Sequence, residues 1–372
     1  MGAKECIGIV GLGLVGSALS ESLLAAGFDV IGCDIDGSKV ERLVAAGGRG
    51  AATPAEVAAG ARRVILSLMN TAIVEQVVEG KDGLLEAPRL RGDAPTPRFR
   101  GGLSEAPRET KIAKTAPGSR ADTPTPRSRG GLSEAPGGIT PTEIAPGGSR
   151  GLGGTRGLPS GKGVSPPLTI IDTTTGEPEA VEALAGRLAA RGVAYLAATI
   201  SGSSGQIRRR EGVLMVGGEP AAFEACADVF RAVAAEHAFH VGPAGSGCRA
   251  KLAVNLILGL NRAALAEGLV FAERLGLDLP GFLELARHTA AYSRVMDVKG
   301  RRMIEEDFAP EARLAQHRKD VGIILDCAAR AGQRLPLSEA HRAILDAAIA
   351  AGDGDLDNAA IIRQIRRSGS SA

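Results

Sequence analysis

Apolar and polar positions change rhythm twice along this chain. In the first part, short unbroken apolar runs are followed by stretches where apolar residues recur every three or four positions. That pattern predicts strands alternating with helices. Cys6-Ile7-Gly8-Ile9-Val10 reads as a buried strand, Ser17 to Ala26 as a helix closed by Gly27, and Val30-Ile31-Gly32-Cys33 as a second strand. Helix 39–46 ends at Gly47-Gly48, and Thr53-Pro54 has the N-cap and N1 residues that start a short helix. Strand 63–68, helix 72–79, strand 168–172, helix 178–191 and strand 193–197 continue the alternation, followed by strand 213–216, helix 220–235 and strand 239–241. After Gly242 the strands stop. Leu252, Leu256, Leu260, Ala263 and Ala264 mark one helix over 248–275, and the remainder reads as helices near 280–290, 293–305, 311–331, 336–351 and 356–367.

Between 87 and 166 neither rhythm is present. Pro95-Thr-Pro-Arg-Phe-Arg-Gly-Gly-Leu-Ser-Glu-Ala-Pro107 recurs as Pro124-Thr-Pro-Arg-Ser-Arg-Gly-Gly-Leu-Ser-Glu-Ala-Pro136. Such units are too rich in Pro, Gly, Ser and Arg to bury a face, so 87–166 reads as a disordered insertion in one surface loop. It carries 13 Lys+Arg against 6 Asp+Glu, a surplus of seven, so a chain of net charge +2 leaves −5 on its remainder. A nucleic-acid or membrane tether is one use for such a basic stretch; a passive repeat expansion is the plainer one.

Composition adds limits. The 372 residues suggest two domains. With 44% hydrophobic residues, 3% aromatics and no Trp, the core must be aliphatic. No run reads as a membrane span and no signal peptide is recognised. The five scattered cysteines read as reduced and cytoplasmic. The five histidines show no metal-ligand spacing, so no metal is expected, and Cys248 reads as a buried thiol before a nucleophile.

The first chemistry lies in Gly11-Leu12-Gly13-Leu14-Val15-Gly16, between the first strand and first helix. In that setting G-x-G-x-x-G binds a dinucleotide. The first glycine allows the tight turn, the second lets the backbone approach a pyrophosphate, and the third lets helix and strand pack closely. Asp34 ends the second strand where a carboxylate can hold the adenosine ribose. A Gly-rich turn in another α/β fold is the competing reading. The second chemistry is Lys251 and Asn255, four apart and so on one helix face. An ammonium and an amide there could hold and deprotonate a small hydroxyl compound, provided burial or nearby positive charge lowers the lysine pKa. An exposed lysine beside a core-edge asparagine is the alternative.

Four motifs, with Lys319-Asp320 as a fifth, give the chain a resemblance to the β-hydroxyacid dehydrogenases, the group of 3-hydroxyisobutyrate dehydrogenase and tartronate semialdehyde reductase. The motifs are Gly-Leu-Gly-Leu-Val-Gly (11–16), Asp-Thr-Thr-Thr-Gly-Glu-Pro (172–178), Ser-Gly-Ser-Ser-Gly (201–205) and Gly-Ser-Gly-Cys-Arg-Ala-Lys-Leu-Ala-Val-Asn (245–255). The resemblance implies a Rossmann-type NAD-binding domain over 1–242, interrupted by the insertion, and an all-helical substrate and dimerisation domain over 243–368. It implies Lys251 as the catalytic lysine, Asn255 as its positioning partner, and Ser201 and Gly202 as the substrate carboxylate site, with Ser203 beside them among the substrate-binding residues. Leu68, Met69, Thr175 and Lys319 become cofactor contacts beside residues 11–16 and Asp34.

Ser203 stands where the family usually has glycine, and Gln206-Ile-Arg-Arg-Arg-Glu211 is more basic than usual. Val254 replaces the histidine that related 6-phosphogluconate dehydrogenases carry before the asparagine. Asp34-Ile35-Asp36 differs from the Asn-Arg-Thr of NADP-preferring members, so NAD is expected before NADP. The expected function is NAD-dependent interconversion of a small β-hydroxyacid and its semialdehyde or keto acid. A homodimer or homotetramer through the helical domain is expected, and neither a membrane nor a nucleic acid is expected as partner. A catalytically silent dinucleotide-binding module and a tether acting through the insertion are the alternatives.

Overall fold

A computed structural model describes residues 5–87 and 168–369. The internal repeat and the insertion assigned to 87–166 lie outside the described residues, except that Ala87 is fully buried.

Continuous apolar runs favour parallel strands covered on both faces. The first half follows this rule: β1 (Cys6–Val10), α1 (Leu14–Ala25), β2 (Asp29–Cys33), α2 (Gly37–Ala45), β3 (Arg49–Gly50), α3 (Pro54–Gly60), β4 (Arg63–Leu66), α4 (Thr71–Glu79), β5 (Thr169–Asp172), α5 (Pro178–Ala189), β6 (Ala194–Ser201), α6 (Ser204–Arg208), β7 (Val213–Gly217), α7 (Pro220–Ala225), α8 (Ala227–Ala234) and β8 (Ala238–Gly242). The eight strands lie in the order β3-β2-β1-β4-β5-β6-β7-β8. All neighbours are parallel except β6 and β7. One apolar core gathers Ile7, Leu19, Leu196 and Phe230, and the other gathers Val57, Val64, Leu66, Val74 and Leu184. Because β1 pairs with both β2 and β4, the chain changes direction across the sheet at the carboxyl end of β1. Open α/β sheets bind ligands at such a switch point.

The helical half comprises α9 (Ala244–Arg274), α10 (Leu279–Arg287), a π turn over Met296–Gly300 leading into α11 (Arg301–Ile304), α12 (Leu314–Arg330), α13 (Pro336–Ala350) and α14 (Ile361–Ser368). Leu265, Leu269, Met303, Leu314, Leu345 and Ile361 form its core.

Several elements differ from the expected ones. Residues 220–235 form two helices with a break at Cys226. The two-residue β3 has too short a pattern to be recognised. Helix α9 starts at Ala244, four residues before Cys248 where the apolar period begins, so Gly245-Ser246-Gly247 belongs to its first turn. A Cβ on Gly247 would lie 2.2 Å from Ala197 O and 2.9 Å from Met215 O. Glycine here lets the first turn rest directly on the backbone of β6 and β7, where Thr199 Oγ1 donates to Gly247 O at 2.9 Å. Of the apolar row, Leu252 is buried and Leu256 and Leu260 are half-buried; the buried face runs Lys251, Leu252, Asn255, Gly259, Arg262, Leu265, Ala266 and Leu269, while Val254 and Ile257 are exposed. Polar Lys251, Asn255 and Arg262 share this inner face with leucines. By length and hydropathy alone α9 could cross a membrane, contrary to the expectation that no run would. Here it packs against β6, β7, α5, α12, α13 and α14.

Candidate active site

The glycine turn sits at the switch point. Gly11 has φ +91°, and a Cβ there would lie 2.3 Å from Ser67 O. A Cβ on Gly16 would lie 1.9 Å from Gly11 O, whereas one on Gly13 would meet no protein atom. So Gly11 and Gly16 are required by the fold, and Gly13 keeps the approach to the backbone clear. No side chain caps the N-terminus of α1. The N–H groups of its first turn, in Leu14, Val15 and Gly16, therefore remain available to a phosphate. Leu12 N donates to Asp34 Oδ2 at 2.7 Å, which sets the carboxylate beside the turn. These residues fit a dinucleotide.

The acidic pair expected at 34 and 36 divides its work. Asp36 caps α2, accepting from Ser38 N at 3.1 Å and Ser38 Oγ at 2.7 Å. Lys39, which the sequence reading passed over, reaches Asp34 Oδ1 at 3.2 Å from one turn into α2.

At the neighbouring strand ends, Leu68 N donates to Thr174 Oγ1 at 3.1 Å, and Asp172 is buried in a bond from Tyr195 Oη at 2.5 Å. Lys319 Nζ extends from α12 to donate to Met69 O at 2.9 Å and Thr175 O at 3.3 Å. It thereby ties two strand-end loops of the sheet to the helical half.

Between the halves lies a cavity of about 310 Å³, with Ser201, Gly202 and Ser203 on one wall and Lys251, Asn255 and Asp320 on another. Lys251 is 7% exposed. Burial pulls its pKa down from 10.5 to about 8, with Asp320 opposing and Arg262 assisting. Asn255 Nδ2 donates to Asp320 Oδ2 at 2.9 Å. Burial raises the pKa of Asp320, and the charges of Lys319 and Lys251 oppose the rise. Ser203 is less free than its sequence context suggested. Its N–H donates to Gln206 Oε1 at 2.9 Å and its Oγ accepts from Gln206 N at 3.3 Å, a capping box for α6. Burial pushes the Cys248 thiol up to about 12, which keeps it protonated and inert. Among the described residues no His, Cys, Asp and Glu cluster could hold a metal.

Arg262, His317, Lys299 and Asn358 also line this cavity and were missed by the sequence reading. For Arg262 a signal existed, since positions 251, 255 and 262 fall within an arc of about 40° at 100° per residue.

Both halves of the chain resemble known proteins. Residues 6–93 and 157–242 match the NAD binding domain of 6-phosphogluconate dehydrogenase, and residues 245–365 match the NAD-binding domain of NADP-dependent 3-hydroxyisobutyrate dehydrogenase. The chain is 32% identical over 199 residues to 2-hydroxy-3-oxopropionate reductase of Escherichia coli, an alignment covering 53% of this chain and 67% of the relative. The chain belongs to the 3-hydroxyisobutyrate dehydrogenase family. Its fold matches a crystal structure of 3-hydroxyisobutyrate dehydrogenase from Salmonella typhimurium with TM-score 0.70 at 22% identity, covering 97% of this chain and 99% of that one. It is also 30% identical over 196 residues to the cytokine-like nuclear factor N-PAC of Aedes aegypti; this covers 53% of the chain but spans only 35% of that relative. Within this family of hydroxyacid oxidoreductases, the first matched region is interrupted between 93 and 157, where the internal repeat falls.

Proposed function

We propose that this chain is an NAD-dependent dehydrogenase acting on a small β-hydroxyacid, with Lys251 as general base. The observation carrying this reading is a buried lysine of pKa about 8 on the wall of a cavity that also holds Asn255 and the Ser201–Ser203 loop. A base works best with a pKa near the working pH. When bound, the nicotinamide supplies the hydride acceptor, or the donor in the reverse direction. The chain's own residues do the rest. Ser201 and the Gly202 backbone hold the carboxylate, Asn255 orients the hydroxyl, and neutral Lys251 Nζ takes its proton. Lys319 holds together the Met69 and Thr175 loops at the strand ends.

The preference for NAD over NADP rests on Asp34, whose carboxylate faces the turn and would repel a 2′-phosphate. Lys39 tempers that repulsion without removing it. The five cysteines are unpaired, in keeping with the cytoplasm. A second copy of the chain is the expected partner of the helical half, where Ile257 and Phe271 of α9 are 59% and 65% exposed.

The test is a panel of short hydroxyacids with NAD and with NADP in parallel, read as NADH or NADPH absorbance. Turnover of at least one hydroxyacid, faster with NAD, is expected. Cofactor binding without turnover of any member would favour a silent dinucleotide-binding module.

A further inference from the structure

Arg262 is 4% exposed and lines the same cavity as Lys251. Its Nε and Nη1 are shielded from solvent and have no hydrogen-bond partner among the described residues. A buried guanidinium without acceptors is costly to the fold. The nearby carboxylates do not relieve it. Asp357 accepts from Lys299 Nζ at 2.7 Å and from the N–H groups of Glu311 and Ala312 at 3.1 Å each, and Asp320 accepts from Asn255. Three more buried polar atoms of residues lining the cavity lack hydrogen-bond partners: His317 Nε2, Asn358 Oδ1 and Asp320 Oδ1, the last with the Lys319 ammonium 3.5 Å away. A Cβ on Gly259 would lie 2.6 Å from His317 Nε2, so the missing side chain there makes room for this polar wall.

We propose that this wall is a second anion subsite, and that the substrate is a β-hydroxyacid whose tail ends in another carboxylate. The proposal rests on the reaction assigned above. One carboxylate of the substrate lies at Ser201 and Gly202, the hydroxyl lies at Lys251, and the distal carboxylate accepts from Arg262. Arg262 follows Asn255 by seven residues, about 10 Å along the axis, and a helical side chain leans back toward the N-terminus. The remaining gap suits a tail of a few carbons. A single guanidinium without a bonded counter-ion matches a monoanion, and its planar donors match a planar carboxylate. Phosphate would bring a further negative charge against Asp320 and Asp357.

The experiment compares oxidation of 2-(hydroxymethyl)succinate, 2-(hydroxymethyl)glutarate and 2-(hydroxymethyl)adipate with that of 2-(hydroxymethyl)pentanoate, which has the tail but lacks the distal carboxylate. Wild type, Arg262→Met and Arg262→Gln are measured after NADH titration shows that each variant retains its cofactor half. At least one dicarboxylate should exceed the monocarboxylate by about tenfold or more in kcat/KM, mainly through KM, as expected for a charged hydrogen bond. In both variants the ratio should collapse toward one. A wild-type ratio near one, or a ratio unchanged in the variants, overturns the subsite.

If no hydroxyacid is oxidised, the proposed reaction fails on its own account, and thermal shift with NADH present still reads the subsite. Glutarate or adipate should then raise the melting temperature of wild type above the effect of pentanoate, and Arg262→Met should lose that difference. Equal shifts in wild type overturn the proposal.

Discussion

Asn255 Nδ2 donates to Asp320 Oδ2 at 2.9 Å, joining α9 to α12 in the cavity wall beside Lys251. The bond turns the Asn255 amide and holds a carboxylate near a lysine whose charge it favours. Asp320 acts against the burial that lowers the lysine pKa, so its charge sets where the lysine titrates.

The pH profile follows from that opposition. Neutral Lys251 is the active base, so kcat/KM for oxidation should rise with pH and level off above about 8. Removing the negative charge with Asp320→Asn removes the influence that raises the pKa, and the rising limb should move to lower pH. A limb that stayed in place, or moved to higher pH, in a steady-state profile would show that Asp320 does not act on the lysine.

Lys251→Ala should lower kcat by about 10²–10⁴-fold, the usual contribution of a general base. NAD affinity should remain close to wild type, because the glycine turn and Asp34 are elsewhere in the molecule. Lys251→Arg should fail as well, since a guanidinium stays protonated. Near wild-type turnover in Lys251→Ala would remove the lysine from the mechanism. Asn255→Ala should show a smaller loss, through alignment of the hydroxyl.

Cofactor choice is tested at the end of β2. Asp34→Asn combined with Ile35→Arg should move the kcat/KM ratio toward NADP by supplying a cation for the phosphate. Lys39→Met should move it the other way, because it leaves Asp34 without its ion pair at 3.2 Å. A lower NAD preference in Lys39→Met would contradict the arrangement.

Removal of 88–166 with a short Gly-Ser link should leave an active enzyme. Loop-closure entropy changes slowly with length, and the family match is itself interrupted between 93 and 157. Ala87 is kept because it is fully buried. Loss of turnover in a soluble deletion would assign the segment a part in the fold or in catalysis.

The alternation of strands and helices was legible because parallel strands covered on both faces leave unbroken apolar runs, as in β1 and β4. The glycine turn was legible because each glycine answers a separate steric demand. Less was legible where position depends on contacts distant in sequence. The helical start at Gly245-Ser246-Gly247 depends on backbone atoms of Ala197 and Met215, which periodicity along α9 cannot reveal. Ser203 reads as a free donor until Gln206 is seen bonded to it. Arg262 is legible only through the helix face that it shares with Lys251 and Asn255.

Gly247 has a consequence for how such a site can diversify. Main chain rests on main chain there, so the placement of Lys251, one turn further on, owes little to the identity of surrounding side chains. Arg262 stands three turns along the same helix, where side chains form the wall. The first turn is therefore an anchored datum, and the later turns are a register along which selectivity can be rewritten while the base stays in place.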